Sequence, residues 1–189
     1  LPLGIRDGSG NAEKVHGLHA PRGKPVMNAQ PPGVPRPQLI ISGGQTGVDR
    51  AALDAALALG IEHGGWCPLG RWAEDGRIPE RYRLRETNSP DYAVRTCRNV
   101  DEADATLIVA PAPLIGGTRL TYEYAVQTGK PCLVIDPADV SAVDQARTWL
   151  AHLPAAATGG YTLNIAGPRE SQVPGIGEIA RHLLQAIFE

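Results

Sequence analysis

The sequence is short of several things, and each shortage excludes something. One Phe and one Met in 189 residues mean that a core must be built from Leu, Ile, Val and Ala. No apolar run approaches the roughly 18 residues of a membrane-spanning helix, so no membrane is expected as a partner. Basic charge is not in surplus. The 18 Lys and Arg face 20 Asp and Glu, for a net charge of −2, and no basic stripe is present to neutralise a phosphate backbone. Nucleic acid is therefore not the expected partner. Cys67, Cys97 and Cys132 are odd in number and widely spaced, which fits neither a zinc pattern nor a disulfide framework and points to a reducing cytoplasm. No repeat of fixed period occurs, and the length predicts one domain with a substantial core.

What the chain does have is a run from Leu39 to Ile41 that leads into Ser42-Gly43-Gly44-Gln45-Thr46-Gly47-Val48-Asp49-Arg50 and then an alanine-rich helical pattern. Strand, glycine turn and helix in that order can build a phosphate cradle. Glycine lets the backbone approach a ligand, and the free N–H groups of a helix start attract an anion. Gly43, Gly44, Gln45, Thr46, Gly47, Asp49 and Arg50 are the candidate binding residues, with a ligand-free tight turn as the alternative. The run carries neither the Lys-Ser/Thr of the nucleoside-triphosphate loop nor G-x-G-x-x-G. Asp49 in the first turn is either a carboxylate favoured by the helix dipole or a ligand for a ribose hydroxyl or a hydrated Mg²⁺.

Residues 1–37 are rich in Gly and Pro and hold the one methionine, Met27; they read as an extension preceding a domain over 38–189, with a start at Met27 or a role as an exchanged arm as further readings. Within the domain, helices are expected over Val48–Leu59 (stopped by Gly60), from Ser89-Pro90-Asp91 to Ala103, over Leu120–Gln127, over Asp139–Leu153 and over Ile176–Phe188. Strands are expected within Ile61–Cys67, Arg81–Glu86, Ala105–Ala110, Pro131–Asp136 and Tyr161–Ala166, with a polar loop over Pro68–Pro79. The alternation predicts an α/β class: a single-domain, three-layer α/β/α Rossmann-like parallel sheet that binds ligands beyond the carboxyl ends of its strands. Gly116-Gly117-Thr118, with Thr121, forms a second glycine turn that either faces the same pocket or is a plain strand-to-helix turn. Arg169, after Gly167-Pro168, is an anion clamp or a surface ion-pair partner. Trp66 and Trp72 bracket a loop, with Arg71, Glu74 and Asp75, that either closes over a planar ring or simply packs down. Cys67 reads as a buried, inert thiol.

These motifs, together with Gly64-Gly65-Trp66-Cys67-Pro68, Ala73-Glu74-Asp75-Gly76, Arg95-Thr96-x-x-Asn99-Val100, Gly116-Gly117-Thr118-x-Leu120-Thr121 and Asn164-x-x-Gly167-Pro168-Arg169-Glu170-Ser171, resemble the molybdenum carrier family. That family is part of the Rossmann-like superfamily that includes the Lonely Guy phosphoribohydrolases and the DNA-processing protein DprA. The resemblance spans 38–188. It implies a carrier or storage protein for a phosphorylated small molecule, molybdenum cofactor or a nucleotide, and a homo-oligomer. Kinship with Lonely Guy enzymes implies an alternative: hydrolysis of an N-glycosidic or phosphate ester bond, with Glu123 catalytic and Arg95 steadying phosphate. Here the Lonely Guy Pro before the glycines is replaced by Leu114-Ile115, and the Lys after Arg95 is Thr96. No metal ligand set is assigned.

Overall fold

The computed structural model describes residues 34–154 and 160–189. Five parallel strands form the central sheet: β1 (Leu39–Ile41), β2 (Glu62–Gly64), β7 (Ala105–Val109), β8 (Cys132–Ile135) and β9 (Thr162–Ala166), in the spatial order β2-β1-β9-β7-β8. The strand latest in sequence thus sits at the centre. Ile41 pairs with Asn164 on one side of it, and Leu107 with Ile165 on the other. Helices α1 (Val48–Leu59), α4 (Ala142–Ala151) and α5 (Ile176–Phe188) pack together as one layer, and α2 (Tyr92–Glu102) with α3 (Gly116–Gln127) as the other. The three-layer α/β/α parallel fold is as expected.

The main core is aliphatic. Ala51, Ala52, Ala55 and Ala56 of α1 are buried, and their small side chains let α1 lie close to Ala180, Leu184 and Ile187 of α5, with Phe188 at the end. α1 stops at Gly60, in the left-handed conformation (φ 66°), whose N–H returns to Ala56 O and Leu57 O. Val34 packs on this core, and Tyr161 Oη donates to Pro35 O at 2.7 Å. The expectations for residues 1–33, including Met27 and an exchanged arm, lie outside the described residues.

Five local expectations are corrected. The strand within Ile61–Cys67 is two, β2 and β3 (Trp66–Cys67), broken at Gly65 (φ 121°), where a Cβ would lie 2.3 Å from Ser42 O. β3 leaves the main sheet to pair with β6, which is only Arg85–Glu86. The loop over Pro68–Pro79 contains an antiparallel ribbon, β4 (Trp72–Ala73) with β5 (Gly76–Arg77). At the start of α2 the cap is Asp91, whose carboxylate accepts from Ala93 N at 2.8 Å, while Ser89 Oγ serves the turn before it. Finally α3 begins at Gly116, four residues earlier than expected, so the second glycine turn is itself the first turn of the helix.

The 66–87 segment folds around one cation. Arg71, buried and itself in the left-handed region (φ 57°), donates to Ile78 O (3.3 Å), Leu84 O (3.0 Å), Pro79 O (3.1 Å) and Tyr82 O (3.0 Å). Leu53, Cys67, Ala73, Ile78, Tyr82 and Leu84 form a second, small core beside it. Arg71→Met would leave four carbonyls without their donor. It is expected to lower stability by about 3 kcal/mol in urea unfolding, and to open 68–84 to proteolysis while the main core persists.

Candidate functional site

Three loops leave the carboxyl edge of adjacent strands: 42–47 after β1, 167–175 after β9 and 110–115 after β7. Between them lies a cavity of about 260 Å³ whose lining includes Gln45, Asp49, Arg95, Gly116, Gly117, Thr118, Thr121, Arg169 and Gln172, with Tyr92 at its mouth. The structure thus brings seven residues singled out in the sequence from the two turns and the last loop, plus Arg95, to one place.

At its floor Arg95 Nη1 meets Asp49 Oδ2 at 3.0 Å, with the Asp49 side chain 4% and the Arg95 side chain 13% exposed. The approach requires Gly43. A Cβ there would lie 1.6 Å from Arg95 Nη1 and 2.8 Å from Asp49 Oδ2. Burial pushes the Asp49 carboxyl above the usual carboxylate range, against the opposing pull of Arg95 and of the Gln45 N–H. Arg95 Nε is buried and has no hydrogen-bond partner among the described residues.

The two glycine turns differ. At the first, several donors are taken up within the protein: Gln45 N–H donates to Asp49 Oδ2 (3.3 Å), Val48 N–H to Pro168 O (3.2 Å) and Arg50 N–H to Gln45 O (3.1 Å), while among the described residues the N–H groups of Gly43, Gly44, Gly47 and Asp49 have no protein acceptor. Gly44 (φ 76°) packs towards Leu84 and Ile78, and Gly47 (φ 75°) lies against the Pro168 carbonyl. Gly43 and Gly44 are not in the lining of this cavity and make room for other groups. At the second turn, among the described residues, no protein acceptor takes the N–H groups of Gly116, Gly117 or Thr118, and a Cβ on Gly117 would meet open space. Thr121 Oγ1 is spent on Gly117 O at 2.9 Å.

Thr46, Gly47 and Arg50 face a different, wider groove of about 660 Å³, beside Glu74, Asp75 and Arg181. Arg50 is committed there to Asp75 through two bonds (2.7 and 2.8 Å), which hold that carboxyl below its ordinary range. Glu74 binds the hydroxyls of Thr46 and Ser171 and the Ser171 N–H (3.1 Å), while its own N–H reaches Gln45 Oε1 at 2.9 Å. Burial raises the Glu74 carboxyl, and these bonds outweigh it, so it titrates low. Arg169 Nε stands 3.8 Å from Glu74 Oε2 at the rim. Glu74 and Gln172 were not among the candidate site residues. Gln172 directly follows the Arg169-Glu170-Ser171 motif, which is the one signal that could have found it.

Other candidates fall elsewhere. Glu123 lies on the exposed side of α3, paired with Arg119 at 2.7 Å, outside both cavities. Trp66 is held between Arg85 and Arg98 (4.2 and 4.6 Å from the ring centre) and donates to Glu102 at 2.7 Å, so it does not close over the cavity. Arg71 is a structural cation. Burial raises the thiols of Cys67 and Cys97 and pushes Cys132 up to about 11; none lines a cavity. Among the described residues no group of three His, Cys, Asp or Glu is placed to hold a metal ion.

Gly43→Ala tests the floor. It is expected to expel Arg95 and leave Asp49 buried without its cation, costing about 3 kcal/mol in urea unfolding at neutral pH. An Asp49 left alone has a folded-state pKa raised further above its unfolded value, so the deficit should shrink as the pH falls and grow as it rises.

No curated protein matches the chain. Among solved structures, a protein from Syntrophus aciditrophicus SB described as a "putative molybdenum carrier protein" is 45% identical, with a TM-score of 0.75, over 82% of this chain and 97% of that one. The model of the circularly permutated YpsA SLOG family matches residues 40–188, every strand but the first residue of β1 and all five helices. This chain therefore belongs to the circularly permutated YpsA SLOG family.

Proposed function

We propose that the 260 Å³ cavity binds the phosphoryl group of a small molecule and that the protein is its carrier or store. One observation carries this: the open N–H groups at the start of α3 and the guanidinium-bearing Arg95, whose Nε has no partner among the described residues, line a single cavity. A helix start with free donors favours an anion, and a guanidinium with a free edge completes its coordination. Arg169 supplies a second cation at the rim.

The name of the Syntrophus protein makes molybdenum cofactor the leading cargo, with a nucleotide as the other choice. The donor set fits the phosphate end of either. Arg95, Arg169, Gly116, Gly117 and Thr118 would hold it, with Tyr92 beside the ring. No thiol or imidazole lines the cavity to bind molybdenum, so such cargo would keep its metal on its own sulfurs. Mg²⁺ has no seat in this reading, because Asp49 is paired with Arg95. Carriage needs no acid–base pair, and Glu123 plays no part in it. The binding unit is the domain after residue 37, working as a homo-oligomer in the cytoplasm; light scattering should give the mass of two or more chains.

The test is metal and pterin analysis of the freshly purified protein, with calorimetric titration of AMP and inorganic phosphate. Arg95→Met is expected to weaken AMP at least tenfold, about 1.4 kcal/mol, with little change for Glu123→Gln. A protein that binds neither phosphate nor AMP, and carries no pterin, refutes the reading. Turnover of a phosphate ester that is lost in Glu123→Gln would replace the carrier by the hydrolase.

A further inference from the structure

We propose that Asp49 is a built-in competitor of the bound anion: it shares the Arg95 guanidinium with the ligand's phosphate and so keeps binding at this cavity weak and reversible. The inference rests on the phosphate reading above and concerns how that same site is regulated.

Three features of the geometry combine. First, Arg95 is used on one edge only. Nη1 holds Asp49 Oδ2 at 3.0 Å, while Nε is buried and unpartnered. Second, Asp49 is not behind the cavity but part of its lining. An anion in the cavity that pairs with Arg95 therefore lies next to a buried carboxylate, with one guanidinium between two negative charges. Third, among the described residues no other cation is paired with Asp49. Arg50, the next residue of α1, is spent on Asp75, and Arg169, from the β9 loop, stands beside Glu74 at the rim. From β1 and its loop Asp49 receives only neutral donors, chiefly the Gln45 N–H. Burial strengthens the repulsion between the two anions because little water screens it.

Gly43 shows that this sharing is built into the packing. The guanidinium occupies the space of the missing Cβ, and any side chain there would separate it from Asp49. A site designed only for tight anion binding would gain from a neutral partner in place of Asp49. One that must hand its cargo on gains from a carboxylate ready to reclaim the arginine. The same trade recurs at the rim, where Glu74 stands 3.8 Å from Arg169.

Asp49→Asn decides the matter. The amide oxygen still accepts from Gln45 N and Arg95 Nη1, and only the charge is removed. Titrated with AMP in the presence of EDTA, the Asn protein is expected to bind at least tenfold tighter than the unaltered one, with the gain in a slower off-rate. A purely structural Asp49 predicts the reverse, since a disordered Arg95 binds less well. Equal or weaker binding by Asp49→Asn while the unaltered protein binds AMP therefore overturns the inference and leaves the phosphate reading standing. Failure of both proteins to bind AMP overturns that reading and the inference with it. Should the Asn protein not fold, Asp49→Ser, smaller and equally neutral, must show the same tightening.

Discussion

One ion pair organises this protein's ligand edge. Asp49 belongs to the first turn of α1 and Arg95 to the second turn of α2, on opposite faces of the sheet, and they meet over the backbone of Gly43 at its edge. Neither partner can be removed alone without leaving a buried charge, so the two helix starts, the β1 turn and the cavity floor are fixed relative to one another. The orphaned Arg95 Nε exists only because Asp49 holds the other edge of the guanidinium. Without the pair the cavity would be a space between loops and not an oriented set of donors.

The 66–87 segment supports the rim by a different means. Arg71 gathers four carbonyls and so gives a stretch whose strands are each only two residues long a fixed shape. From that platform Glu74 reaches out to Thr46 and Ser171, and Gln45 reaches back to Glu74 N. The loops after β1 and β9 are thereby clipped to the ribbon. Glu170 closes the chain of contacts by accepting the Gly177 N–H at the start of α5. The wall of the cavity thus depends on a buried cation that touches no ligand.

The local parts of this arrangement were legible in the sequence and the long-range parts were not. Gly60 announced the end of α1, and the apolar run from Ala105 announced β7, because each signal acts within a few residues. The second glycine turn and the place of Arg169 after the last strand pointed to Gly116 and Arg169, the resemblance to Arg95, and the structure places all three at one cavity. No local pattern could reveal that Pro168 takes the Val48 N–H at the end of the first glycine turn, since Pro168 is brought there by β9. The two readings of Trp66, ring platform or packed loop, stay open in the sequence because its partners Arg85 and Arg98 are distant along the chain. Gly116-Gly117 looked like a turn before a helix because glycine is a poor helix former, yet at a helix start its N–H groups need no helical acceptor.

The central position of β9 also sets an order of events. Ile41 and Leu107 cannot be joined in one sheet until Thr162–Ala166 lies between them. On a ribosome, everything from β1 to α4 is synthesised before the strand that unites it. Until residue 166 is reached, the emerging chain lacks the strand that pairs with both β1 and β7. Such long-range closure is slow and leaves strand edges open to wrong partners in the interval. The ligand edge, which needs loops from both halves, can be assembled only when that closing strand arrives.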